Sequence, residues 1–215
     1  HQIASGSLSA IPGYGFTPTG NRLSTTPAGG WGSATVSLDS GNTIDWGGDG
    51  TTYFSFLADF GTAGAIFQIN FEDASDSSVS ANVADGNGSN LQIKLGGKWD
   101  TAGGDSFPAD TTVLVVGKFE TVADDSLSDT FSASVFTDVS GGEPAEWDAV
   151  KSYAVTNTIA FDQLRIYSSG NGETYELDEF RTGSTFASVI PEPATISMVA
   201  AFGGLLLIFR RRMSR

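Results

Sequence analysis

Apolar and polar residues alternate with a period of two in several short runs along this chain. In the run from Ala65 to Glu72, Phe67, Ile69 and Phe71 point one way while Ile66, Gln68 and Asn70 point the other. Leu91, Ile93 and Leu95 alternate with Gln92 and Lys94, and Phe131, Ala133 and Val135 with Ser132 and Ser134. Val79, Ala81 and Val83 form a weaker run. Each pattern predicts a strand with one dry and one wet face. Tyr53 to Phe60 and Thr112 to Phe119 are largely apolar on both faces, as central strands covered on both sides would be. Asp-Gly, Asn-Gly and Gly-Gly pairs between the runs, such as Asp85-Gly86-Asn87-Gly88, supply the positive φ of tight turns. No helical stripe of useful length occurs in the body. The prediction is an all-β fold, a two-sheet antiparallel β-sandwich of roughly nine to twelve strands. An extended lead-in over residues 1–30, with at most one edge strand, precedes a sandwich over 31–188, and a tail occupies 189–215.

Composition sharpens this picture. The 27 glycines suit many loops, and a hydrophobic fraction of 40% with 15 Phe gives one core enough to bury. The formal charge of -14 hides an asymmetry, because Arg210, Arg211, Arg212 and Arg215 crowd the end of the chain. Up to Ile190 there are 24 acidic and 7 basic residues, a net charge of -17. A body this acidic lacks the basic surface that releases counterions from a phosphate backbone, so nucleic acid is not an expected partner. The absence of cysteine excludes disulfides, thiolate metal sites and thiol nucleophiles. The one histidine, His1, is terminal, which removes the usual imidazole base from the body. A chain that starts at His1, with no charged-then-apolar leader, is expected to be a mature form whose export signal has been removed.

At the C-terminal end Pro191-Glu192-Pro193 is followed by an uncharged run from Ala194 to Phe209 and then by the arginines. This order resembles the PEP-CTERM sorting signal. The resemblance implies a bacterial exported protein whose tail is processed by an exosortase, a membrane-embedded cysteine protease or transpeptidase. Physical reasoning agrees: the run would enter lipid as a short C-terminal transmembrane helix, with Arg210, Arg211 and Arg212 held on the cytoplasmic side. At sixteen residues it falls below the roughly 20 that span a bilayer comfortably, a deficit that snorkelling arginines and local thinning cover. Proline has no backbone donor and restrains its neighbours, so the motif is extended, with Glu192 as its one charge.

A second resemblance covers most of the body. Thr51 to Leu57, Thr111 to Phe119 and Tyr175 to Thr185 resemble segments of bacterial concanavalin A-like and laminin G-like jelly-roll domains. Some such domains are glycoside hydrolases, in which a Glu-x-Asp-x-x-Glu strand supplies nucleophile, helper and acid/base. Counted from Glu176, the helper position is Asp178 but the acid/base position falls on Arg181, which cannot shuttle a proton near neutral pH. The plainer reading is a strand with Tyr175 and Leu177 inward, its acids, Glu179 included, outward, and Arg181 paired to a nearby carboxylate. Laminin G-like domains often hold calcium between loops. Asp45, Asp49, Asp73, Asp76, Asp124 and Asp125 offer the hard oxygen ligands calcium takes, although in an acidic exported protein such loop carboxylates are more often simply solvated, and no EF-hand or regular calcium-binding repeat is present. Trp31, Trp46, Trp99 and Trp147 lie in or beside loops, where an exposed indole face stacks on a sugar ring or else packs at a sheet edge. Asn87-Gly88-Ser89 has the form of a glycosylation sequon but reads as a turn in a bacterial chain.

The expected protein is therefore an exported, non-enzymatic surface or matrix component. It is anchored by its C-terminus until processed, and its jelly-roll is structural or adhesive. The alternatives are a carbohydrate-binding module that contacts extracellular polysaccharide, a glycosidase, and a subunit of a homo-oligomer that adds its Gly-rich lead-in to a neighbour's sheet edge.

Overall fold

The computed structural model describes residues 2–5, 21–25, 28–38, 43–45, 48–60, 66–75, 80–86, 90–102, 107–108, 110–124, 126–154, 160–171 and 175–190. The Pro191-Glu192-Pro193 motif, the apolar run and the arginines lie outside these residues, as do Asn87-Gly88-Ser89, Trp46, Asp76 and Asp125. Among the described residues no helix is long and apolar enough to cross a membrane.

The strands form two antiparallel sheets that share one core. The seven-stranded sheet runs in the order β1 (Gln2–Ser5), β2 (Asn21–Thr25), β15 (Tyr175–Gly183), β5 (Gly50–Phe60), β10 (Thr112–Thr121), β11 (Asp129–Phe136) and β12 (Ala149–Tyr153). The six-stranded sheet runs β3 (Ala28–Ser37), β14 (Gln163–Asn171), β6 (Ile66–Glu72), β7 (Ser80–Gly86), β8 (Asn90–Leu95) and β9 (Lys98–Thr101). A two-residue bridge joins β4 (Ile44–Asp45) to β13 (Ala160–Phe161). The strand count exceeds the sequence expectation because several members are too short to show a period. The Gln2–Ser5 and Asn21–Thr25 strands both pair onto the seven-stranded sheet, and β3 runs through residue 30.

Alternation decides which face of each strand is dry. Phe67, Ile69 and Phe71 of β6, Leu91, Ile93 and Leu95 of β8, and Leu164 and Ile166 of β14 all point into the core. From the other sheet Phe54, Phe56, Val113, Val115, Phe119 and Phe131 meet them. Phe54 lies at the centre, its ring centroid 4.6 Å from that of Phe71, 5.5 Å from Phe119 and 6.0 Å from Phe131. Opposite it in register stands Gly117, where a Cβ would sit 2.1 Å from Phe54 Cζ. Only a residue without a side chain lets the ring lie flat on β10. The Leu95-Gly96-Gly97-Lys98 hairpin has φ of 55° and 77° at its two glycines, the left-handed pair that a two-residue turn requires.

β5 and β10 are buried on both faces, as their sequences predict, because the outer face of the seven-stranded sheet carries a second apolar layer. Tyr53, Leu57, Leu114 and Val116 are covered there by Val139, by the short helix α1 (Phe186–Val189) and by Ile190. Four residues are too few for a helix to persist alone. A capping box between Thr185 and Ser188 closes its start, and the Ser55 hydroxyl donates to the Val189 carbonyl at 2.6 Å. Val189 and Ile190, at the start of the expected tail, are therefore part of the packed body. The same layer alters the expectation for β11. Ser132 and Ser134 are each only 2% exposed rather than wet, and Ser134 Oγ accepts from the Asp148 backbone amide at 2.9 Å. A hydroxyl is small and adaptable enough to be buried when a neighbouring loop pairs it.

Candidate functional site

Cross-strand register on the outer face of the six-stranded sheet places six residues, one from each strand, in a single transverse row. Thr35, Arg165, Asn70, Asn82, Lys94 and Trp99 are successive partners across β3, β14, β6, β7, β8 and β9. Directly paired antiparallel residues project to the same face, so the row is a continuous strip of side chains. Gln68 and Tyr167 pair in the row on one side, and Glu72 pairs with Gln163 and Ser80 on the other. Together Gln68, Asn70, Glu72, Ser80, Asn82, Lys94, Arg165 and Tyr167 line an open groove of about 430 Å³. This is within the range of small-ligand sites.

Electrostatics orders the groove. Glu72 is 3% exposed, and its Oε2 lies 3.3 Å from Arg165 Nε. A carboxylate only accepts hydrogen bonds, so Asn70 must turn its Nδ2 toward Glu72 Oε1, which it meets at 3.0 Å. That choice leaves Asn70 Oδ1 as an acceptor, and both Asn82 Nδ2, at 2.8 Å, and Gln68 Nε2 donate to it. Asn82, 1% exposed, is left with its Oδ1 buried and without a partner among the described residues. On the other side Arg165 Nη1 donates to the Tyr167 hydroxyl at 3.1 Å. At the far end of the row Lys94 Nζ lies 5.5 Å from the Trp99 ring centroid, and Trp99 is 44% exposed.

The sequence places Gln68, Asn70 and Lys94 on wet faces but does not single them out, and it misses Glu72, Asn82, Arg165 and Tyr167. The alternation Leu164-Arg165-Ile166-Tyr167 is the signal that reveals β14 and its polar face. Of the tryptophans, Trp99 lies within β9 and presents its ring beside the groove. Trp147 is half-buried against the second apolar layer, with Lys118 Nζ 5.3 Å from its centroid. Trp31 lies in β3, and its side chain is outside the described ones.

The carboxylates near β15 are arranged otherwise. Tyr175 and Leu177 point inward, as expected, and Glu176 stands opposite Asp59 on the outer face. A bulge between Asp178 and Arg181 then breaks the alternation, with Glu179 at φ 54°. Asp178 Oδ1 accepts from the Glu179 amide at 2.9 Å, and Arg181 Nη2 pairs with Glu179 Oε2 at 3.1 Å. Burial pushes the Asp59 carboxyl up, opposed by the hydroxyl of Thr112, and the charges of Glu176 and Asp110 add to the rise. With the folded value raised, the stability that comes from a neutral Asp59 is complete below its unfolded value and is lost as pH rises through the folded one. Asp59→Asn is expected to raise the thermal midpoint near pH 7 and to leave it unchanged near pH 3. A lower midpoint at neutral pH would show instead that the carboxylate stabilises the fold.

The described loop aspartates accept from backbone amides, some within their own turn and Asp49 from a distant loop. Asp49 accepts from the Ala123 amide at 2.8 Å, and Asp73 from the amide of Ser75 at 2.7 Å. Asp124 accepts from the hydroxyl and the amide of Ser126, which hold its carboxyl below the usual range. Asp45 lies in β4. Among the described residues no group of three or more acidic or histidine side chains is placed to hold a metal ion.

No protein-family model matches the chain, and no curated protein matches it. Solved structures similar to it include lactose- and MES-liganded congerin II, 13% identical with a TM-score of 0.39, covering 71% of this chain and 100% of that one. The carbohydrate-binding module CBM66 from Bacillus subtilis is 11% identical with a TM-score of 0.39, covering 82% of this chain and 99% of its own. A sheep galectin-11 complex with glycerol is 9% identical with a TM-score of 0.37, covering 74% of this chain and 100% of its own.

Proposed function

We propose that this protein is an exported, non-enzymatic saccharide-binding module whose ligand lies along the groove on the six-stranded sheet. The observation that carries the reading is the six-residue row: two amides and an arginine held by hydrogen bonds to one another or to flanking groove residues, then a lysine and an exposed indole. Sugar rings offer hydroxyls to such polar groups and an apolar face to tryptophan. Side chains already locked by buried partners lose little entropy when a ligand arrives. Arg181, paired to Glu179 where a hydrolase would need a proton donor, supports binding without turnover. Pro191-Glu192-Pro193 and the charge pattern beyond it support delivery to the cell surface and processing by an exosortase.

Affinity electrophoresis of the full chain through gels containing plant, algal or bacterial polysaccharides tests the reading. At least one polymer is expected to retard the protein, and Trp99→Ala is expected to weaken that retardation by about tenfold, the loss of one stacked ring. Migration unaffected by every polymer would leave a purely structural surface protein.

A further inference from the structure

We infer that the groove is built for an anionic sugar unit, one bearing a carboxylate or a sulfate ester, with the anion on Lys94 and a neighbouring hydroxyl donating to Asn82 Oδ1. The inference deepens the saccharide-binding reading and rests on it. Two observations carry it. The first is Asn82, a groove-lining residue whose Oδ1 is buried and without a partner among the described residues. An unpaired buried acceptor costs free energy that a donor from a ligand recovers. Its identity as an acceptor follows from the direction of the network, since the Glu72 carboxylate sets Asn70 and Asn70 sets Asn82. A sugar hydroxyl is a donor of the right kind.

The second observation is charge. The body up to Ile190 holds 24 acidic and 7 basic residues, yet among the described residues two of the basic ones, Lys94 and Arg165, line this groove with Glu72 as the one carboxylate. Glu72 is engaged by Arg165, and among the described residues no ion pair engages Lys94. The groove is thus locally cationic on a strongly anionic molecule. A neutral sugar hydroxyl accepts from the Lys94 ammonium but leaves its charge uncompensated. An anion on the ligand would pair with the ammonium as a charge-assisted hydrogen bond. Asn82 and Lys94 are direct cross-strand partners, so one sugar unit can reach both.

Titration calorimetry of the full chain with a polyuronate, a sulfated galactan and a neutral glucan separates the outcomes. The expected result is binding to one or both anionic polymers at least about tenfold tighter than to the glucan, the margin of a hydrogen bond to a charged group. Preference between the uronate and the sulfate identifies the anion. Lys94→Gln should erase the preference and Lys94→Arg should retain it, with both variants melting as the parent does. Equal affinity for the neutral glucan, or a preference that survives Lys94→Gln, would overturn the anionic assignment while leaving the saccharide site standing. Failure to bind any of the three, together with no retardation in the wider polysaccharide gels, would overturn both.

Discussion

Gly117→Ala is expected to destabilise the protein by about 3 kcal/mol, the upper part of the range for overpacking a close-packed core. The added methyl would sit 2.1 Å from Phe54 Cζ and 2.2 Å from Cε1. The ring has nowhere to go, because Phe54 is fully buried among Phe56, Phe71, Phe119, Phe131 and Phe180. For a protein of this size the thermal midpoint should fall by roughly 10 °C. Adding Phe54→Leu removes the clashing edge of the ring, so the double variant should be more stable than the sum of the two single losses by about 1 kcal/mol or more. Urea unfolding of the four proteins measures this. A Gly117→Ala protein that melts with the parent would mean that the ring does not lie on β10 as described.

The second large effect concerns Glu72→Ala. Removing a buried carboxylate leaves Asn70 Nδ2 and Arg165 Nε without their acceptor, and breaking a buried charged pair from one side typically costs about 3–5 kcal/mol. Arg165 is partly exposed, with 32% of its side chain accessible, so water screens part of that loss and about 2 kcal/mol is expected. The functional loss should be larger than the structural one. Without the carboxylate nothing dictates which way Asn70 turns, and the acceptor that Asn82 presents is no longer fixed. Glu72→Ala combined with Arg165→Met should recover part of the stability and none of the polysaccharide binding. If both variants bind as the parent does, the Glu72 network has no part in recognition.

The fold was legible in the sequence because a two-sheet sandwich writes its inner face as alternation. Phe67, Ile69 and Phe71, and Leu91, Ile93 and Leu95, declare their strands without help from the rest of the chain. The outer faces are harder to read. Ser134 looks solvated until the amide of Asp148 is seen to bind its hydroxyl. The groove was less legible still, because its residues meet only through pairing between distant strands. Gln163 and Glu72 are 91 positions apart and become neighbours through the β6–β14 ladder. Nothing local to Arg165 or Asn82 announces that they share a row. The bulge after Asp178 is likewise a product of pairing, and it takes Glu179 out of the alternation that a motif reading assumes.

The burial of Ile190 on the outer side of the seven-stranded sheet has a consequence for how the molecule is displayed. The groove opens on the opposite side, across the full thickness of the sandwich. Were the protein held through the residues beyond Ile190, the attachment would start from the side opposite the row of amides and Trp99, and that row would be free to face away from the support. Neighbouring copies held in the same way would turn the same side outward.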